Sequence, residues 1–238
     1  MAVLFDFSTF TRSAGGSRPA VQTPLGPLLL EVAMEGRRSS DLPFDAWEGD
    51  KPSDSGFVFF FEKARVELLI CPVSPDLPPG RRVDRCLACV LRVASEADIT
   101  ALEFRCAWPD EFDPPAHGGY NGESLQAFTW DDGKTEVSLG TLDDEGLSGD
   151  AGTRLPVGWR QPLVEAEMRE TYVGSIENRG IFIRPPRLRT GESCELYFAI
   201  AWSAFSENRS DTWFAVDLSY RDELRCWPGQ QPFLARSR

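Results

Sequence analysis

The chain has 238 residues, 42% of them hydrophobic and 26% charged, and its 16 Phe and 7 Trp supply a large core, which excludes disorder of the whole. Its formal net charge of −12 opposes phosphate backbones and anionic lipid surfaces, which bind through clustered Lys and Arg. The only adjacent basic pairs are Arg37-Arg38 and Arg81-Arg82, so neither nucleic acid nor a membrane is expected as a partner, whereas a basic protein is allowed.

The chain opens on Val3 to Phe10, where Val3, Phe5 and Phe7 alternate with Asp6 and Ser8, the pattern of a half-buried strand. Asp6 also interrupts any secretory leader, and no apolar run approaches the roughly 18 residues that span a bilayer, so a soluble, cytoplasmic protein is expected. After Pro24, Gly26 and Pro27, a second strand is expected over Leu28 to Ala33. Residues 35–56 are rich in Gly, Pro, Ser and Asp and read as a long loop. Phe57 to Glu62 and Arg65 to Cys71 read as a hairpin. The four prolines between Pro72 and Gly80 force irregular chain. Cys86 to Ala94 and Ile99 to Ala107 are expected to form a further pair. Residues 107–123 read as a loop that could divide two subdomains, although a single domain over 1–238 is the simpler expectation.

The plainest turn follows. Asp131-Asp-Gly-Lys134 joins Leu125–Trp130 to Thr135–Gly140, and Asp-Gly between alternating segments marks a hairpin because a tight turn needs positive φ. Residues 141–162 read as an acidic loop, and Pro162 to Met168 as the one short helix. Thr171 to Ile176, Gly180 to Arg184, Cys194 to Ser203 and Asp211 to Tyr220 complete the strands. The Pro185-Pro186 corner before Gly191 suits a chain changing sheets. About a dozen short strands without βαβ alternation give an all-β fold, an antiparallel β-sandwich with long loops.

The chemistry is sparse. Cys86 and Cys89 have the spacing of half a zinc site, but i and i+3 on a strand point to opposite faces, and no second pair exists. The six cysteines are expected as reduced, buried thiols. His117, near Glu111, Asp113 and Tyr120, is the sole histidine and hence the sole candidate imidazole base. Asp143, Asp144, Glu145 and Asp150 have the composition but not the spacing of a calcium loop. No phosphate loop or nucleophile elbow is present, so no cofactor or metal is expected.

On the strand from Cys194, Leu196, Phe198, Ile200 and Trp202 share a bulky apolar face, while Glu195, Tyr197, Ala199 and Ala201 share a smaller face expected to be partly covered. Trp202, Phe205, Glu207, Asn208, Arg209 and Trp213 form the candidate binding cluster, since Trp and Arg concentrate binding energy. The sequence therefore favours a non-catalytic protein-binding β-sandwich, such as an adaptor, inhibitor or immunity-type factor. The alternatives are a module for carbohydrate or another small ligand, and a hydrolase using loop carboxylates and His117.

Overall fold

In the computed structural model, residues 5, 7, 9–13, 18–49, 54–122, 125–206 and 211–217 are described. They form two antiparallel sheets packed face to face, the sandwich expected from the alternation. The strands are β1 (Thr11–Ser13), β2 (Ala20–Thr23), β3 (Gly26–Met34), β4 (Arg37–Arg38), β5 (Phe44–Glu48), β6 (Ser55–Phe61), β7 (Ala64–Val73) and β8 (Arg85–Ser95). They continue as β9 (Leu102–Ala107), β10 (Ala116–Gly122), β11 (Leu125–Asp131), β12 (Thr135–Leu142), β13 (Gly174–Glu177), β14 (Gly180–Ile183) and β15 (Ser193–Ala204). Three helices accompany them: α1 (Asp144–Asp150), α2 (Arg160–Met168) and α3 (Asp211–Asp217).

The larger sheet has nine strands in the order β1-β5-β6-β7-β8-β15-β12-β11-β10, and the smaller has the path β13-β14-β9-β3-β2, with β4 added beside β3. One core fills the space between them. Val66, Leu68, Ile70, Cys89, Leu91, Phe128, Trp130, Leu139, Phe198 and Ile200 of the larger sheet meet Leu28, Leu30, Val32, Phe104, Ile181 and Ile183 of the smaller. Each fully buried Leu, Ile or Phe among them contributes roughly 1.5–3 kcal/mol relative to an exposed position. Cys89 lies in this core, while Cys86 lies in a separate cluster on the outer face, as strand parity requires. Burial pushes the Cys89, Cys106 and Cys194 thiols up, which keeps them protonated.

The Asp-Gly hairpin forms as expected, with Gly133 at φ +77° and β11 in register with β12 from Leu125 opposite Leu142 to Asp131 opposite Glu136. The Asp132 carboxylate accepts from the Lys134 and Thr135 amides at 2.9 and 2.8 Å, closing the turn. The Pro185-Pro186 corner carries the chain from β14 in the smaller sheet to β15 in the larger.

Other expectations are corrected. The described part of Val3 to Phe10 is not a strand: Phe5 and Phe7 lie against the outer face of the larger sheet, Phe10 turns back on Phe7, and Phe7 stacks on Trp47 at 4.9 Å. Apolar alternation arises here from covering a sheet rather than joining it. Residues 35–56, expected as a loop, contain β4 and β5. Residues 107–123 contain β10, whose glycines hide a strand from propensity. Cys86–Ala94 and Ile99–Ala107 do not pair with each other, because β8 and β9 belong to different sheets.

Among the described residues, three α-helices stand where one helix was expected. The acidic segment 141–162 contains α1, whose Asp143 cap accepts from the Gly146 amide at 2.9 Å. The last expected strand, Asp211 to Tyr220, is helical over its described part. Asp211, Thr212, Ala215 and Val216 are its buried residues, the last three an i, i+3, i+4 set that a seven-residue window cannot separate from alternation. Helix α3 packs on the small face of β15 at Ala199 and Ala201 and Phe5 shares a cluster with Tyr197, so Tyr197, Ala199 and Ala201 are buried, while Glu195 of the same face is half-buried. Gly140 leaves room for it: a Cβ there would sit 2.9 Å from Val216.

Candidate functional site

The residues of the expected aromatic cluster do not converge. Trp202 is half-buried and packs on the inner core, whereas half-buried Trp213 packs on the outer-face cluster beneath α3. Strand β15 therefore stands between them. Phe205 is half-buried, its amide donating to the Lys134 carbonyl at 2.8 Å, and Glu207, Asn208 and Arg209 lie outside the described residues.

His117 lies not in a surface turn but on β10, opposite Trp130 in register, and only its backbone is described. The acidic set of residues 143–150 has structural partners. Asp143 caps α1, Asp150 pairs with Arg154, and buried Asp144 accepts the Val173 and Gly174 amides at 3.0 and 3.3 Å. Among the described residues, no group of three or more His, Cys, Asp or Glu is placed to hold a metal ion.

The polar chemistry gathers elsewhere, where the sandwich opens sideways. Edge strand β10 closes the larger sheet and edge strand β13 closes the smaller, with β11 and β13 in contact across the gap. The Trp130 indole N–H spans it, donating to the Asn178 carbonyl at 3.1 Å. Two depressions follow one another along β13. The first, of about 570 Å³, is lined by Gln126, Glu170, Thr171, Tyr172 and Ser175, among others. The second, of about 590 Å³, is lined by Asp113, Pro114, Glu177, Asn178 and Arg179.

The chain from α2 into β13 builds the first depression. Buried Leu163 anchors α2 in the core. The helix ends with the Glu170 amide bonded to the Glu167 carbonyl at 3.0 Å and the Thr171 amide to the Ala166 carbonyl at 2.9 Å. These are the two bonds of a Schellman cap. The cap requires a left-handed residue and ordinarily uses glycine, yet Glu170 occupies it with φ 55°. The cap projects Glu170 and Tyr172 into solvent, Tyr172 being 55% exposed. Asp144 then fixes the next two residues through their amides, at the cost of burying a carboxylate. Burial pushes its pKa up, with the two amides acting the other way.

Gln126 is the deepest polar group lining this depression. It shares the inner face of β11 with Phe128 and Trp130 and is 9% exposed. Its amide nitrogen donates to the Gly174 carbonyl at 3.4 Å, while its Oε1 has no partner among the described residues. Gly174 is needed for this fit, since a Cβ there would lie 2.4 Å from that oxygen. Ser175 Oγ is likewise without a partner. Two buried polar atoms left unsatisfied at one depression mark a place where a ligand can contribute bonds that the fold omits. In the second depression, Arg179 donates through Nη2 to the Pro109 and Phe112 carbonyls, while its Nε has no partner among the described residues.

No family model and no curated protein sequence matches the chain. Among solved structures, a protein provisionally described as a kojibiose phosphorylase from human microbiome aligns over 86% of this chain and 26% of its own, with 5% identity and a TM-score of 0.44. A polysaccharide lyase aligns over 77% of this chain and 26% of its own, with 12% identity and a TM-score of 0.32. The chain thus spans about a quarter of the length of each, and likenesses of this strength identify no relative of this chain.

Proposed function

We propose that this protein is a non-catalytic β-sandwich that recognises a small polar ligand at the lateral mouth between β11 and β13. The observation that carries this reading is Gln126, a buried amide whose carbonyl oxygen is unpartnered beside a solvent-open depression edged by an exposed tyrosine. Ligand sites combine a shaped, partly apolar lining with a few placed polar groups, and Tyr172, Ser175 and Gln126 supply that combination. The mouth belongs to one sandwich spanning 1–238, a reading supported by β10, which adds the segment 107–123 to the larger sheet.

A protein partner, favoured by the sequence, finds less support at the cluster from Trp202 to Trp213, since those two rings lie on opposite sides of β15. The test is a thermal-denaturation screen of small polar compounds, run on the wild type and on Tyr172→Ala. A compound at 100 times its Kd stabilises the folded state by about 2.7 kcal/mol, a readily measured shift. The expected result is a compound that shifts the wild type and loses most of its effect in Tyr172→Ala. A compound whose shift survives both Tyr172→Ala and Glu170→Ala overturns the assignment of the site. A stable protein partner that co-purifies and binds both variants as it binds the wild type returns the function to protein recognition.

A further inference from the structure

We infer that the ligand of this mouth is a linear polyamine, bound as a multivalent cation along β13; this rests on the reading of the mouth as a ligand site. The first argument is the character of the lining. Gln126 Oε1 can only accept, and Glu170 is an acceptor when ionised. Thr171 spends its hydroxyl proton on the Ala166 carbonyl at 3.4 Å, which leaves it too as an acceptor. A ligand that only donates fits such a site better than one carrying as many acceptors as donors. An ammonium group brings three donors and no acceptor, so it can serve Gln126 Oε1, Glu170 and Thr171 together, and the Ser175 and Tyr172 hydroxyls, which accept as well as donate, can accept from it too.

The second argument is charge. Glu170 stands at the first depression, and Asp113 and Glu177 at the second. The one basic residue lining either depression, Arg179, already donates to two backbone carbonyls. Arg179 keeps its charge, but the three carboxylates outnumber it and leave the mouth net negative on a chain of formal charge −12, a field that attracts cations and repels phosphates and carboxylates. The exposed ring of Tyr172 adds a face over which an alkylammonium group gains cation–π attraction.

The third argument is spacing. The first depression is lined by Gly174 to Ile176 of β13, and the second by Glu177 at the end of that strand with Asn178 and Arg179 of the turn that follows, so the two adjoin along the chain. A linear polyamine can therefore place one ammonium by Glu170 and another by Glu177 and Asp113. The backbone of Glu170 is consistent with such a role. A carboxylate is kept at a cap position that favours glycine, and strain of this kind is retained where a side chain serves a site.

The experiment is titration calorimetry of the full chain with spermidine and, in parallel, with maltotriose as an uncharged saccharide of comparable reach. Spermidine is expected to bind, with affinity falling as sodium chloride is raised. Glu170→Gln and Glu177→Gln are each expected to weaken it about fivefold, and the double variant about twentyfold. Circular dichroism and the unfolding midpoint of each variant establish that it is folded. Maltotriose binding without spermidine binding overturns the polyamine assignment and leaves the mouth as the site. Spermidine binding that Glu170→Gln and Glu177→Gln leave unchanged also overturns it, since the cation is then held elsewhere. If neither probe binds, the polyamine assignment falls, while the wider compound screen on Tyr172→Ala still judges the mouth itself.

Discussion

Replacing Glu170 by glycine is expected to stabilise the fold while weakening the site. Glu170 occupies the left-handed position of the α2 cap at φ 55°, where an L-residue costs about 1–2 kcal/mol through crowding of its Cβ. Glycine removes that cost but brings about 0.5–1 kcal/mol of additional unfolded-state freedom. The net gain is about 0.5–1 kcal/mol, which for a chain of this length raises the melting midpoint by about 1–4 °C. Both cap bonds, from the amides of Glu170 and Thr171, survive the change because they involve backbone alone. Glu170→Ala separates the two effects, since it deletes the carboxylate and keeps the strained Cβ. Urea unfolding should therefore place the glycine variant at a higher midpoint than the alanine variant with the same slope. Ligand binding should be weakened alike in both. A glycine variant no more stable than the alanine variant refutes the cap argument, and a stabilised variant with undiminished binding refutes the role of the carboxylate.

Three further outcomes follow from the packing. Gly180→Ala should cost about 3 kcal/mol or more, because the new Cβ would meet the Cys106 carbonyl oxygen at 2.2 Å and the Ala107 Cα at 2.5 Å, backbone that cannot rotate away; a urea-measured loss below about 1 kcal/mol contradicts the β14–β9 register. Asp144→Ala should cost about 2–3 kcal/mol by leaving two backbone donors without their acceptor, and hydrogen exchange at Val173 and Gly174 should accelerate selectively. Glu136 bonds to Thr212 of α3, and burial pushes its pKa above the ordinary glutamate value. As pH rises from that ordinary value through the raised one, the unfolded chain loses its proton first, so the contribution of Glu136 to stability falls across the window. Glu136→Gln should flatten this part of the stability–pH profile and raise stability above it; an unchanged slope shows that Glu136 is not the titrating group.

Much of the secondary structure was legible in the sequence because it is local. The Asp131-Asp-Gly hairpin depends on residues within a few positions of one another, and β15 announces both its faces by alternation from Leu196 to Trp202. The corner at Pro185-Pro186 marked a change of sheet because proline there ends pairing. The same local rules misled where one pattern serves two structures. Asp211–Asp217 is too short for its period to be told, and the pattern of Phe5 and Phe7 is shared by a strand and by a segment lying on one.

The candidate site was not legible, and one residue explains why. Gln126 is a polar residue at a core-facing parity, in line with Phe128 and Trp130, and that mismatch was the available mark of it. Alternation establishes that Gln126 points inward, but only tertiary structure brings Gly174 against its amide and leaves its oxygen without a partner. Tyr172, Glu170 and Gln126 line one depression because β13, an edge of the smaller sheet, lies against β11, one strand in from the β10 edge of the larger. Edge position is set by the order of strands in a sheet, a long-range property that no run of neighbouring residues encodes. The sequence by itself determined the β class, the turns and the acidity of the molecule, since these depend on composition and period. The tertiary structure decided which edges remain open and which polar groups are stranded beside them.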